Sequence, residues 1–227
     1  MKKVSIIITC HNFEKYIFRA INSCLNQNFL GEKYEIIIVD DASEDRSREI
    51  IKSYSNFSFI KTIFLKKNKG VAFSSNAGVK RAKGKYIVRV DGDDYINKDF
   101  LKVMTEILEW NKDIDFVYCD LIVVKGEGKK NKRTFQRNTW EKLLDHGAGV
   151  MFRKKCFDGG GFYNEKLKNC EDHDLILRYS RKYKGYHLPL PYYRYFKRSS
   201  NSLSAKKVER EKIKKENIKR LKLCGKN

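Results

Sequence analysis

The stretch Lys85-Tyr86-Ile87-Val88-Arg89-Val90-Asp91-Gly92-Asp93-Asp94 reads as a strand that runs out into an acidic turn. β-Branched and aromatic residues dominate it, as a pleated, buried surface favours, and Gly92 permits a tight turn at its end. Three carboxylates therefore gather at a strand's C-terminal end, the edge at which open α/β sheets bind ligands. Two carboxylates about 4 Å apart repel by roughly 4 kcal/mol at an effective dielectric of about 20. A divalent cation offsets that repulsion. Oxygen donors suit Mg²⁺ or Mn²⁺, which commonly join one or two carboxylates to phosphate oxygens. The competing reading is structural, because aspartates also cap helices and the next helix starts near Asn97.

Working outward, the preceding residues repeat one pattern. Residues 3–9 and 34–40 are apolar, β-rich runs, the second of the kind buried on both faces and ending in Asp40-Asp41-Ala42-Ser43-Glu44-Asp45. A third strand is expected near 59–65. Helical spacing falls between them: Ile17, Ile21, Cys24 and Leu25 share a face, Arg48, Ile51 and Tyr54 mark a second helix, and 71–82 a third. Strand and helix pairs in succession predict an α/β fold, a mostly parallel sheet with helices on both faces. Right-handed crossovers bring the strand ends to one edge, so Thr9, Asp41 and Asp91 to Asp94 are expected to face one cleft.

Downstream, Leu101, Met104, Ile107 and Leu108 form a core stripe on a helix over 98–110, and 116–124 reads as a strand. Residues 125–138, rich in lysine and arginine, read as a solvated loop or, alternatively, a contact to an acidic substrate. A short strand over 147–153, a turn at Gly159-Gly160-Gly161 and a helix over 171–182 follow, and the tail from Ala205 reads as a basic amphipathic helix.

A formal net charge of +21 on 227 residues implies an acidic partner. Charge alone does not choose among nucleic acid, anionic lipid and phosphorylated substrates. Hydrophobic residues at 41% and aromatics at 13% are too many for a disordered chain. The six cysteines, Cys10, Cys24, Cys119, Cys156, Cys170 and Cys224, show no C-x-x-C pair or zinc spacing and read as reduced thiols of a cytoplasmic protein. The apolar N-terminal run stops at His11-Asn12, too short for a signal peptide. No run approaches the roughly 18 residues that a membrane span needs. Gly78 and Gly84 are separated by five residues where a P-loop needs four, and no G-x-G-x-x-G follows the first strand, so a dinucleotide site is unsupported.

What holds together is the set. Asp41 and Asp91 offer acceptors for a base and a ribose, Asp93 an oxygen for a cation on a diphosphate, and Thr9 a further contact to the base. From Val4 to about Ser204 the sequence resembles the family 2 glycosyltransferases, whose nucleotide-sugar-binding domain is called GT-A. The resemblance is carried by Val4-Ser-Ile-Ile-Ile-Thr9 with Asn12, Ile37-Ile-Val-Asp-Asp-Ala-Ser43, Asn68-Lys-Gly70 with Asn76 and Gly78, and Ala82-Lys-Gly-Lys-Tyr-Ile87 with Asp91-Gly-Asp-Asp94. Gly160-Gly-Phe162, Cys170-Glu-Asp-His-Asp-Leu175 with Arg178, and Tyr193-Arg194 with Ser202 extend it.

The resemblance implies an inverting transfer of sugar from a nucleoside diphosphate donor, a UDP-sugar by family frequency, to a glycan or lipid-linked acceptor, with Mn²⁺ or Mg²⁺ as cofactor. It implies Thr9, Asp41, Asn76 and Asp91 on the donor, Asp93 with Asp91 on the metal, and Asp172 as general base. Glu171, Asp94, Arg194 and Arg198 become candidates for acceptor or diphosphate. Residues 1–204 would be the GT-A domain, with 1–95 the nucleotide-binding part and 96–204 the acceptor side, followed by the basic helix of 205–227. Two departures stand out: Ser75 where the family often has arginine, and Phe196 where many members carry a histidine. Glu171, Asp172 and Asp174 also have a structural reading, as acids favoured by a helix N-terminus.

The rivals are a sugar-1-phosphate nucleotidyltransferase, a basic nucleic-acid-binding protein, and a GT-A domain kept for binding alone. The first usually opens with a glycine-rich loop, and Cys10-His11-Asn12-Phe13 has no glycine. The second rests on charge only, so nucleic acid is not the expected partner. The basic segment 206–222 suggests an anionic membrane surface, which would make the protein peripheral at the inner face of the membrane.

Overall fold

The computed structural model describes residues 3–30, 33–126, 132–139, 143–144, 146–197 and 207–224. Among these residues nine strands form one sheet: β1 (Val4–Cys10), β2 (Tyr34–Asp40), β3 (Ile60–Phe64), β4 (Tyr86–Asp91), β5 (Tyr95–Ile96), β6 (Phe116–Lys125), β7 (Lys132–Gln136), β8 (Val150–Arg153) and β9 (Gly185–Lys197). Their order is β3-β2-β1-β4-β8-β6-β9-β5, with β7 on β6. β1 to β4 pair in parallel, as the apolar runs predict. β8 then runs antiparallel to both β4 and β6, and β6 resumes the original direction with β9.

The helices among the described residues are α1 (Ile17–Leu25), α2 (Ser47–Lys52), α3 (Val71–Arg81), α4 (Phe100–Trp110), α5 (Lys155–Gly160), α6 (Glu171–Tyr179) and α7 (Lys207–Cys224). Alternation along the strands divides the core into two layers. Ile6, Ile8, Ile36, Ile38, Val88 and Val90 pack with α1 and α4 on one face. Ile7, Ile37, Val39 and Ile87 pack with α3, α5 and α6 on the other. Arg89 and Asp91 have the parity of Ile87, so they emerge on the side covered by α3 and α6.

Three elements differ from the sequence reading. Part of the basic loop is β7, an exposed strand paired with β6 from Leu121 to Lys125. The triple glycine ends a short helix, α5, and Gly161 leaves it with φ of 79°. β9 has little strand signal because both prolines of the chain, Pro189 and Pro191, fall in it. The ladder accommodates them at a register shift opposite Cys119 and Asp120, where fewer backbone donors are needed.

The tail is helical and lies against α6. Its described side chains correct the amphipathic expectation: Asn217 is buried with Ile213 and Lys214 half-buried, while Ile218 is 38% exposed. Among the described side chains, those turned from solvent include Asn217 and Lys214 as well as Ile213, and the helix lies against α6. No helix among the described residues is long and apolar enough to cross a membrane.

At the sheet end opposite the acidic turn, Arg153 closes the end of α4. Its Nη2 donates to Leu108 O (2.5 Å) and Asn111 O (3.1 Å), and its Nε donates to Ile114 O (2.8 Å). These serve carbonyls at and just beyond a helix end, where intrahelical donors run out. Arg153→Met would leave three carbonyls short of a donor. At about 1–3 kcal/mol per unsatisfied buried group, partly relieved by relaxation, a loss of about 2–4 kcal/mol is expected in urea unfolding.

Candidate active site

The site is built at the C-terminal edge by two stitched loops and one turn. After β1, Asn12 takes a left-handed φ of 57°, its N–H donates to Ser43 Oγ (3.0 Å) and its Oδ1 accepts from Glu44 N (2.8 Å). Phe13 N donates to Ser47 Oγ (2.8 Å), so the β1 and β2 loops hold each other. Asp40 is fully buried against Arg48, with Oδ2 2.7 Å from Nη2. Asp41 accepts the N–H of Lys69 and of Gly70, both at 2.7 Å, at the start of α3. Each Asp41 oxygen keeps a lone pair beyond these bonds.

The acidic turn is anchored to β1. Gly92 N donates to Thr9 O (2.9 Å), and Thr9 Oγ1 donates to Asp91 Oδ1 (3.2 Å). A Cβ at Gly92 would stand 2.7 Å from Phe13 Cδ2 and 2.8 Å from Thr9 O, so the turn tolerates only glycine. Arg19 donates from Nη2 to Asp93 O (2.7 Å), and its guanidinium lies 4.5 Å from the Tyr95 ring centroid and 4.6 Å from that of Phe196. Phe196, the departure from the family pattern noted in the sequence, thus packs a cation beneath the turn and brings no imidazole to it.

Asp94 faces inward. Its Oδ2 accepts from Tyr193 OH (2.8 Å) and its Oδ1 from Phe196 N (2.7 Å), and it is 1% exposed. Burial, with Asp93 and Asp91 nearby, holds its carboxyl well above the usual range. Asp94 therefore fastens β9 to the turn, a use the sequence did not disclose. Asn76 is likewise taken up by the fold: its Nδ2 donates to Tyr163 O (2.9 Å) and Glu165 Oε1 (2.8 Å), and its Oδ1 accepts from Tyr163 N (2.9 Å). Arg194 turns back on its own strand, with Nη1 2.5 Å from Pro191 O. Arg198 lies outside the described residues.

Asp172 and Glu171, at the N-terminus of α6, reach the turn through Arg89. The Arg89 Nη2 to Asp172 Oδ2 distance is 2.7 Å, Nη1 to Glu171 Oε1 3.2 Å, and Nε to Asp91 Oδ1 3.0 Å. The Tyr163 ring lies under the guanidinium, 5.3 Å to its centroid. Ser75 Oγ is 3.5 Å from Nη1, so the cation at this place comes from β4, and an arginine at 75 would crowd it. Gly147, at φ of 58°, lets the backbone run against Asp172; a Cβ there would stand 2.6 Å from Asp172 Cγ.

One guanidinium faces three carboxylates. Burial pushes the Asp172 carboxyl well above its usual range against the pull of Arg89, and Glu171 and Asp91 add to the rise. Arg89 itself stays protonated: burial opposes the charge, but Asp172, Asp91 and Glu171 outweigh it. Sequence reasoning missed Arg89, although a charged residue inside an apolar strand was a visible signal. Tyr163 and Gly147 gave no such signal.

The donor set suits a hard cation in part. Among the described residues no three His, Cys, Asp or Glu side chains stand together as a metal site. Asp91 and Asp93 offer two carboxylates, whose charge reaches Asp94, and Mg²⁺-like ions accept such a pair when phosphate oxygens and water complete the shell.

Known proteins resemble this chain in sequence and in fold. Poly(ribitol-phosphate) beta-N-acetylglucosaminyltransferase TarS of Staphylococcus aureus is 35% identical over 191 residues, which cover 78% of this chain and 32% of that protein. Chondroitin synthase of Pasteurella multocida is 32% identical over 191 residues, covering 82% of this chain and 20% of that protein. The chain thus spans about a third or less of these relatives. The crystal structure of S. aureus TarS 1-349 in complex with UDP-GlcNAc superimposes with a TM-score of 0.76 at 27% identity, over 89% of this chain and 61% of that one. This is the GT-A fold expected from the resemblance. The model of Glycosyl transferase family 2 matches residues 5–188, and on that match the chain belongs to this family of glycosyltransferases.

Proposed function

We propose that the protein transfers a sugar, with inversion, from a uridine diphosphate donor to a hydroxyl of a glycan or lipid-linked acceptor, and that Asp172 is the general base. The observation carrying this reading is the convergence of Asp172, from α6, and Asp91, from β4, on one guanidinium at the sheet's C-terminal edge. A base and a donor-binding carboxylate are thereby held side by side. The solved relative with UDP-GlcNAc supports the choice of donor class.

The base and ribose lie along the β1–β2 edge, where Thr9 orients Asp91 and where Asp41 fixes the amides of Lys69 and Gly70. The acceptor hydroxyl attacks the anomeric carbon from the face opposite the diphosphate. Asp172 takes its proton, the new glycosidic C–O bond forms, and the bond from the anomeric carbon to the diphosphate oxygen breaks with its electrons on the leaving group. Burial raises the affinity of Asp172 for a proton, the direction that strengthens a base once it is ionised, and Arg89 opposes that rise by favouring the carboxylate. Mg²⁺ or Mn²⁺ at Asp91 and Asp93 supplies neutralisation of the leaving diphosphate when bound.

A panel of nucleotide sugars, read by released diphosphate, identifies the donor. Asp172→Asn keeps the shape and removes the proton acceptor. It should bind donor normally and turn over on the order of a hundredfold or more slowly, the range of a lost general base. Near-normal turnover with a lowered melting temperature would assign Asp172 to capping α6. For the cation, calorimetry with UDP should show binding that collapses in EDTA and weakens in Asp93→Asn. Undiminished affinity in EDTA would remove the metal from the site. The anionic membrane surface is a separate proposal for 206–222. Vesicle binding by the full chain should exceed that of a chain ending at Ser204, and equal binding ends it.

A further inference from the structure

We propose that Arg89 is a positioning residue that sets the distance between the base and the donor site. Its guanidinium spans Asp91 on the donor strand and Asp172 and Glu171 on α6, so the base moves only with the donor carboxylate. The inference rests on the reading of Asp172 as base.

Arg89 makes four hydrogen bonds from its two terminal nitrogens, and its Nε adds an ion-pair contact. Nε faces Asp91 Oδ1 at 3.0 Å, Nη2 faces Asp172 Oδ2 at 2.7 Å and Asp91 Oδ2 at 3.4 Å, and Nη1 faces Glu171 Oε1 at 3.2 Å and Ser75 Oγ at 3.5 Å. The side chain is 11% exposed. Its plane is fixed from behind by Tyr163, whose backbone both donates to and accepts from Asn76. Gly147 closes the far side of Asp172. Asp172 is thus confined between a guanidinium and a backbone, and that guanidinium is two residues from Asp91 on the same strand face.

A purely stabilising ion pair would balance its charges. Here one cation serves three carboxylates, and an unbalanced buried cluster costs stability. The fork is also the part that matters: a lysine presents a point charge and cannot span acids on two elements. Misplacing reacting groups by about 1 Å can cost on the order of 10²-fold in rate, so a spacer of this kind is worth its cost to a catalyst.

The test is a double-mutant comparison on the full chain, following release of UDP from UDP-N-acetylglucosamine, or from whichever nucleotide sugar the donor panel selects. Arg89→Met should slow turnover by about 10- to 100-fold in the wild-type background. In the Asp172→Asn background its cost in turnover at saturating donor should be less than about twofold, because an effect exerted through Asp172 has nothing left to act on, while a loss exerted through Asp91 is read separately as weaker donor binding. Arg89→Lys should restore melting temperature more fully than turnover. Equal costs in the two backgrounds, or full turnover with lysine, would overturn the inference while leaving Asp172 as base. Normal turnover of Asp172→Asn alone, or no release from any nucleotide sugar by the wild type, would overturn the underlying reading and this inference with it. Should Arg89→Met fail to fold, Tyr163→Leu, which removes only the ring beneath the guanidinium, carries the same comparison with the same expected non-additivity.

Discussion

Seven carboxylates converge on the C-terminal edge of the sheet: Asp40, Asp41, Asp91, Asp93, Asp94, Glu171 and Asp172. A carboxylate removed from water without a partner costs several kcal/mol, so each placement constrains what surrounds it. Asp40 takes Arg48, Asp41 takes two backbone amides of the α3 entry, and Asp94 takes a tyrosine hydroxyl and an amide of β9. Asp91, Glu171 and Asp172 share Arg89. The entry to α3, the seating of β9 and the docking of α6 all meet the need of these acids for donors.

That demand divides the acidic residues into two kinds. Asp94 engages both oxygens inside the fold and Asp40 engages Oδ2, and both support the edge from below. Asp91, 29% exposed at its side chain, and Asp172, at 15%, keep a face toward the cleft. Asn76, likewise buried, acts at one remove by holding the loop whose Tyr163 lies under Arg89. Support therefore runs from α3 through the 161–165 loop to β4 and on to α6, and a change at any step reaches Asp172.

The two departures from the family pattern have a common physical outcome. At Ser75 the fold has no arginine, and Arg89 fills the neighbouring volume from β4. At Phe196 it has no histidine, and the ring receives Arg19, whose guanidinium also holds the Asp93 carbonyl. In both places a cation sits close to the acidic turn, from a different element than the pattern would supply. For a turn that gathers negative charge, the source of the cation matters less than its distance.

The parallel half of the fold was legible in the sequence because its information is local. The apolar runs at 4–10, 34–40 and 86–91 and the helical spacings between them need no partner to be recognised. That Thr9 and Asp91 share one edge follows from crossover handedness, while their contact needs β4 to lie beside β1. The antiparallel half was less legible: β7 is exposed and charged, and β9 carries both prolines, so neither announces itself before β6 is there to pair with it. The roles within the site were decided by tertiary structure. Arg89 and Asp172 are 83 residues apart, and nothing in either neighbourhood specifies the other. Only the packing of α6 on the β4 face brings their charges within 2.7 Å, because an ion pair depends on separation in space and the sequence records separation along the chain.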